Sequence, residues 1–216
     1  VTLTLAPECG QALRDLGIPT SQLPLGVNIT TNVPRPPSSP PTVGMLAMLT
    51  RWKAQDTVIK AIAVLPDLRL ELAGEAFPGD EAYLAELREL VRTSGASDRV
   101  DFIGRVARED VLGRWDALVC ASRDRENGPL AALEAMASAV PVVTSTSGRG
   151  HIPVEDVWSF PDDDVDRLAS ALRAATTAGD ERTARTLRAH EFVAHTHNRR
   201  HTVAATFDAV VRTEDL

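Results

Sequence analysis

The chain has 216 residues, 44% hydrophobic and 25% charged, enough for one substantial core or for one domain plus a fragment. A formal charge of -7 argues against the basic face of a nucleic-acid binder, and no apolar run approaches the roughly 18 to 20 residues of a membrane helix. The amino terminus lacks a basic-then-apolar leader pattern, and Cys9 and Cys120 lie too far apart for zinc spacing or a disulfide framework. The expectation is a cytoplasmic protein with reduced thiols.

The chain opens Val-Thr-Leu-Thr-Leu without an initiator Met, which suggests a processed protein, a trimmed one or an excerpt. "VTLTLAP" reads as a strand, Glu8 to Leu16 as a short helix ended by Gly17, and "LPLGVN" as a second extended piece. This is one β-α-β unit, too small to be a domain. Asn32 to Thr42 holds five prolines in eleven positions, which excludes helix and central strand and predicts a linker or surface excursion.

Beyond it, short apolar runs alternate with segments of helical period. "VGMLAML" precedes Lys53 to Leu65, "LRLELAG" precedes Asp80 to Thr93, and "RVDFIG" precedes Arg108 to Arg114. "ALVCAS" precedes Leu130 to Ala139; "PVVTS" and "VWSF" follow, then Val165 to Thr176. This alternation predicts an α/β fold, a Rossmann-like parallel sheet with helices on both faces. Glu181 to Ala194 and Arg199 to Val211 read as closing helices. Ligands of such sheets sit beyond the carboxyl ends of the strands, so the loops after Leu46, Ala73, Ile103, Ser122 and Thr144 are the places to look.

In the loop after "ALVCAS", the stretch "ENGPLAALEAMA" carries Glu126 just before a Gly-Pro step and Glu134 eight positions later. Pro129 suits a first helical position, because its missing amide hydrogen would be unpaired there. The free amides from Leu130 onward, with Asn127 and Gly128 in the approach, then form an anion seat at the positive end of the helix. The bland alternative is a dipole-stabilised acid at a helix start and an ordinary helix acid. What raises the pair above it is a loop at the ligand edge that carries both acids and the anion seat.

The pattern Glu, seven residues, Glu-Ala-Met-Ala, two residues, Val-Pro-Val-Val resembles the signature of retaining nucleotide-sugar glycosyltransferases of the family-4 type, which have two Rossmann-like lobes, the GT-B architecture. "VGMLAMLTRWKAQDTVIKAIAVL", "LELAG", "DRVDFIGRV" and "PVVTS" fall in family order. The resemblance implies that residues 1–31 are the tail of the acceptor lobe and the hinge, 32–42 the linker, 43–198 the nucleotide-sugar-binding domain and 199–216 a closing helix. It further implies that Glu126 holds hydroxyls of the transferred sugar, Glu134 binds the ribose, and Lys53 binds the diphosphate, assisted by the amides of Asn127, Gly128 and Leu130 and by the helix start at Pro129. Gly104, Arg105 and Val106 match the loop that borders the base. No metal and no cofactor are implied; the partners are a nucleoside diphosphate sugar and an unidentified acceptor, with peripheral membrane contact possible only through the missing lobe. A solvated lysine in a helix's first turn is the bland reading of Lys53, one of only two lysines.

The chain departs from that pattern in three places. Ala47-Met48 stands where the family has Gly-Arg, and Arg51 is the candidate substitute cation. Ala139-Val140 displaces a small glycine, and "SGRGHIP" lacks the acid expected after "PVV". His195, His197 and His201 suggest a metal only superficially, since helical residues two apart point to nearly opposite sides; a polar surface helix is the expectation. In "PDDDVDRL", Asp163 or Asp164 is expected to cap a helix. The function implied is the donor-binding domain of a retaining hexosyltransferase, inactive as an isolated fragment. The rivals are a degenerate, non-catalytic nucleotide-sugar-binding or regulatory module and, ranked lower, a sugar-nucleotide epimerase.

Overall fold

The computed structural model describes residues 2–4, 7–23, 25–124 and 126–211. Strand β1 (Thr2–Thr4), helix α1 (Pro7–Asp15) and strand β2 (Thr20–Gln22) form a β-α-β unit whose strands pair in parallel. The second strand is therefore Thr20–Gln22 and not the expected "LPLGVN". Val27 of that stretch bridges instead to the carboxyl-terminal helices: its N–H donates to His197 O at 2.8 Å, and Arg199 N–H donates to its carbonyl at 2.9 Å. Val1, Leu5 and Ala6 of "VTLTLAP" lie outside the described residues, as do the side chain of Cys9 and residues 212–216 of the closing segment.

The proline-rich segment carries no helix and no strand before Thr42 and is pinned along its length. Ser38 and Thr42 donate to Asp116, and Arg35 pairs with it at 2.8 Å.

The main sheet has six parallel strands in the order β5-β4-β3-β6-β7-β8. They are β3 (Thr42–Leu46), β4 (Arg69–Ala73), β5 (Val100–Gly104), β6 (Ala117–Cys120), β7 (Val142–Ser145) and β8 (Trp158–Phe160). Successive residues of a strand face opposite sides, and the core divides accordingly. Ala117, Val119 and Val143 pack with one apolar layer, Leu118 and Val142 with the other.

The first layer is covered by α2 (Gln55–Ala63), α3 (Glu81–Thr93) and α6 (Val165–Thr176). In α3 the buried Tyr83, Leu87 and Val91 recur every four residues, the stripe of an amphipathic helix. Asp164 caps α6, accepting Arg167 N–H at 2.9 Å. The second layer is covered by α4 (Arg108–Leu112), α5 (Leu130–Ala137) and α7 (Asp180–Thr196). In α5 Ala132, Leu133, Ala135, Met136 and Ala137 are all buried, because the helix lies between the sheet and α7; full burial of Leu133 alone contributes about 1.5 to 3 kcal/mol. Glu134 is the polar break in that run. Helix α8 (Arg199–Val211) follows a short break at His197. No helix among the described residues is long and apolar enough to cross a membrane.

Candidate active site

Strands β3 and β6 are neighbours, yet the chain leaves β3 toward β4 on one side and returns to β6 on the other. Their following loops diverge, which opens a crevice at the carboxyl edge. A cavity of about 300 Å³ lies there, lined by Met48, Lys53, Ser122, Glu126, Pro129 and Glu134, among others.

Lys53 ends a 3-10 turn, Arg51–Lys53, that precedes α2; Ala54 terminates it with φ 59°. The side chain is only 18% exposed and its Nζ contacts Oε1 of Glu126, with Nζ 3.9 Å from the centre of the Trp52 ring. It is neither solvated nor in the first turn of a helix. Ser122 Oγ donates to the same Glu126 oxygen at 2.7 Å. Both contacts converge on Oε1, so Oε2 has no partner among the described residues.

Glu126 is held from behind. Its N–H donates to Ser147 O at 3.0 Å. Gly150, at φ +59°, approaches so closely that an added Cβ would stand 2.8 Å from Glu126 O. From the front, Arg123 clamps the loop to α2 and to the start of α6. Its Nη2 meets both oxygens of Asp56 at 2.9 Å, Nε meets Asp163, and Nη1 donates to Arg51 O. Burial raises the Asp56 carboxyl, but the hydrogen bonds and charge of Arg123, with the bonds from Lys60 and Tyr83, together outweigh it and hold the group below its ordinary range. Asp163 is thus a clamp residue at φ 59° and not the cap of α6.

Helix α5 begins at Leu130, with Pro129 as its cap residue (φ -73°, ψ 66°) and not its first helical residue. The Leu130 N–H is already spent on Gly128 O at 2.7 Å, so the anion seat is narrower than expected. Gly128, Pro129 and Leu130 line the cavity and the exposed Asn127 does not. Burial pushes the Cys120 thiol up to about 12, opposed by the nearby Lys53 cation, which makes it a neutral wall of the cavity.

Glu134 reaches the cavity from one turn into α5. Its Oε1 pairs with Arg108 Nη1 at 2.6 Å. Burial raises its pKa, Arg108 opposes that rise and Glu109 adds to it. No hydrogen bond to Oε2 occurs among the described residues.

The remaining candidates sit elsewhere. Arg51 is 61% exposed and turned to Glu86 at 2.5 Å and to the Tyr83 ring; the second cation expected at this wall is not in place, and Met48 lines it. Gly104, which ends β5, and Arg105 and Val106 after it lie outside the cavity lining. Gly104 O accepts Gly74 N–H at 2.8 Å, Arg105 is exposed and Val106 packs on the second core layer. His195 and His201 are exposed, but His197 is buried: its Nδ1 bonds Leu25 O at 2.8 Å and its Nε2 meets His151 at 2.9 Å. No metal-binding cluster occurs among the described residues. Ser122, Arg108 and Arg123 were not singled out from sequence; only Ser122 carried a signal, standing at the end of the strand that precedes Glu126.

Comparison with known proteins bears on this arrangement. Residues 29–190 match the family described as "Glycosyl transferases group 1". The GDP-mannose-dependent alpha-(1-6)-phosphatidylinositol monomannoside mannosyltransferase of Mycobacterium tuberculosis is 34% identical over 146 residues, 61% of this chain and 37% of that protein. The D-inositol 3-phosphate glycosyltransferase of Mycobacterium sp. (strain KMS) is 33% identical over 116 residues, 53% of this chain and 26% of that protein. The match therefore spans only 26% to 37% of the length of these relatives. Among solved structures, Anabaena Alr3699/HepE in complex with UDP and glucose superposes with a TM-score of 0.84 at 19% identity, over 97% of this chain and 62% of that one. Sucrose-phosphate synthase from Thermosynechococcus elongatus does so with a TM-score of 0.84 at 24% identity, over 99% and 58%. The parallel sheet with its flanking helices is the Rossmann-like fold of GT-B glycosyltransferase domains, and the chain belongs to the group 1 glycosyl transferases.

Proposed function

We propose that this chain is the donor-binding domain of a retaining nucleotide-sugar glycosyltransferase of the family-4 type, with residues 1–31 contributed by the acceptor lobe and hinge. The observation that carries the reading is the cavity at the switch point, where Lys53, Glu126, the start of α5 and Glu134 meet. Each carboxylate has one oxygen engaged and one open, which suits acceptance from sugar hydroxyls. Glu134 takes the ribose, Glu126 the transferred sugar, and Lys53 the diphosphate between them. In the transfer, the bond from the sugar's C1 to the diphosphate oxygen breaks and the acceptor hydroxyl oxygen bonds to C1 with anomeric configuration kept. Negative charge grows on the departing diphosphate, where the Lys53 ammonium and the helix start lower its energy. The donor's phosphates must first draw Lys53 away from Glu126, which frees that carboxylate for the sugar.

The mycobacterial relatives' names include a GDP-mannose-dependent enzyme, and the Anabaena protein was solved with UDP and with UDP-glucose; both support a nucleoside diphosphate sugar as partner. Titration calorimetry tests the assignment. Glu134→Ala should weaken binding of the nucleoside diphosphate itself, whereas Glu126→Ala should spare it and weaken only the sugar-bearing donor. Equal losses for both ligands in both variants would sink the roles. The isolated chain binds nucleotide but transfers nothing, because half of the cleft belongs to the other lobe; peripheral membrane contact, if the whole protein makes it, belongs to that lobe as well.

A second reading, a non-catalytic nucleotide-sugar-binding module, is favoured by one observation: Met48 lines the wall where the resemblance puts an arginine, and Arg51 faces Glu86. Diphosphate binding without transfer by the whole protein would select it.

A further inference from the structure

We propose that Arg108 is a positioning residue for nucleotide binding: it pins Oε1 of Glu134 and leaves Oε2 free to accept from a ribose hydroxyl. The proposal rests on the reading above that Glu134 meets the ribose.

Arg108 is the first residue of α4 and reaches across to α5, where its Nη1 lies 2.6 Å from Glu134 Oε1, while its Nε lies 3.0 Å from Glu109 Oε1. One guanidinium thus forms an ion pair with each of two carboxylates, through different nitrogens. The Glu134 side chain is only 11% exposed, so its rotamer is set by this contact more than by solvent. Glu134 also borders a second cavity of about 220 Å³, with Asn28, Thr30 and Ser138 on its wall; Arg108 is the one cation among the described residues that line it. Without the guanidinium, Glu134 would be a desolvated acid beside Glu109 with no opposing charge.

The other charged and titratable groups around it do not replace Arg108. Across the first cavity Lys53 is committed to Glu126. Cys120, on β6, is held neutral by burial. His190, on α7, bonds Met136 O. Burial already lifts the Glu134 carboxyl, and Arg108 is the group that opposes it. Removing Arg108 raises that pKa further, so the acceptor carboxylate is lost at a higher pH than in the wild type.

The test is titration of the chain with UDP and GDP, and with their 2′,3′-dideoxy counterparts, between about pH 5 and about pH 8. For whichever of UDP or GDP binds, Arg108→Gln should weaken binding about tenfold at the acid end, the factor carried by one unit of pKa, and much less at the alkaline end. Arg108→Lys, which keeps the charge, should return the pH profile most of the way to wild type. Glu134→Gln should bind weakly at every pH, and the dideoxy ligands should show no dependence on either position. Glu134→Gln that weakens binding, combined with Arg108→Gln that changes nothing or loses the same factor at every pH, overturns the positioning role alone. Glu134→Gln indistinguishable from wild type, or a wild-type chain that binds neither nucleotide, overturns the ribose reading and this proposal with it.

Discussion

The two edges of the main sheet treat buried carboxylates in opposite ways. At the amino edge Asp116 has a fully buried side chain and four contacts, two to each oxygen: Ser38 N–H and Arg35 on Oδ1, Ser38 Oγ and Thr42 N–H on Oδ2. Arg182, also buried, ties the same region together by donating to the carbonyls of Ala175, Arg35 and Asp116. At the carboxyl edge Glu126 and Glu134 are nearly as buried, yet among the described residues each has its contacts on one oxygen only. A buried acid with every lone pair filled is a structural joint. One with an oxygen left over, facing a cavity, is prepared for a ligand that supplies the missing donor.

This contrast is sharpest in stability. Asp116→Ala strips four contacts and leaves Arg35 and two backbone N–H groups without their acceptor; it should cost about 3 kcal/mol in urea unfolding, the upper end for hydrogen bonds to a charged group. Nucleotide affinity of the fraction that still folds should be unaltered. A loss under about 1 kcal/mol would place Asp116 with ordinary surface charges and remove the contrast.

At the other edge the expected losses are in binding. Glu126→Ala should weaken the sugar-bearing donor by about 1.5 to 3 kcal/mol, the scale of a hydrogen bond to a charged group. It should leave nucleoside diphosphate binding at or above wild type, because Lys53 loses its competing partner. Comparison of the two ligands by calorimetry checks both halves.

Met48→Arg puts a cation into the cavity wall. It should tighten diphosphate binding by about 1 to 2 kcal/mol, with nucleoside binding hardly changed. Since Arg51 is occupied with Glu86, the gain should be the same in an Arg51→Ala background. A coupling above about 0.5 kcal/mol in that double-mutant cycle would return Arg51 to the site.

The smallest effect concerns the clamp. The Asp56 carboxyl is raised by burial but lowered more by Arg123, Lys60 and Tyr83 together, with a net depression. A depressed folded-state pKa stabilises above the ordinary carboxylate range, and the contribution fades as pH falls through the folded value. Wild type and Asp56→Asn should therefore differ by about 1 kcal/mol near neutral pH and converge in acid; parallel curves down to acid unfolding would contradict the assignment.

Most of the fold was legible because its signals are local. Strand-helix alternation placed every element of the main sheet within a few residues, and the spacing of Glu126 and Glu134 marked the loop. What was misread depends on distant partners. "LPLGVN" has the extended character of a strand, but Val27 exchanges its backbone bonds with His197 and Arg199, 170 and 172 residues further on. Arg51 looked like a neighbour of Lys53 because it is two residues away; in a turn with three residues per revolution, positions two apart point about 120° from each other. Arg123, Asp56 and Asp163 come from three separate segments and Arg108 and Glu134 from two others, and no short-range pattern announces either meeting.

The most direct test of the central claim is calorimetric titration of this chain with UDP, GDP and ADP, each beside its bare nucleoside, in wild type and Lys53→Ala. The account predicts that one diphosphate binds clearly better than its nucleoside, and that Lys53→Ala erases most of that margin while nucleoside binding stays as it was. Diphosphate and nucleoside binding equally in the wild type, or a margin untouched by Lys53→Ala in a folded chain, would contradict it.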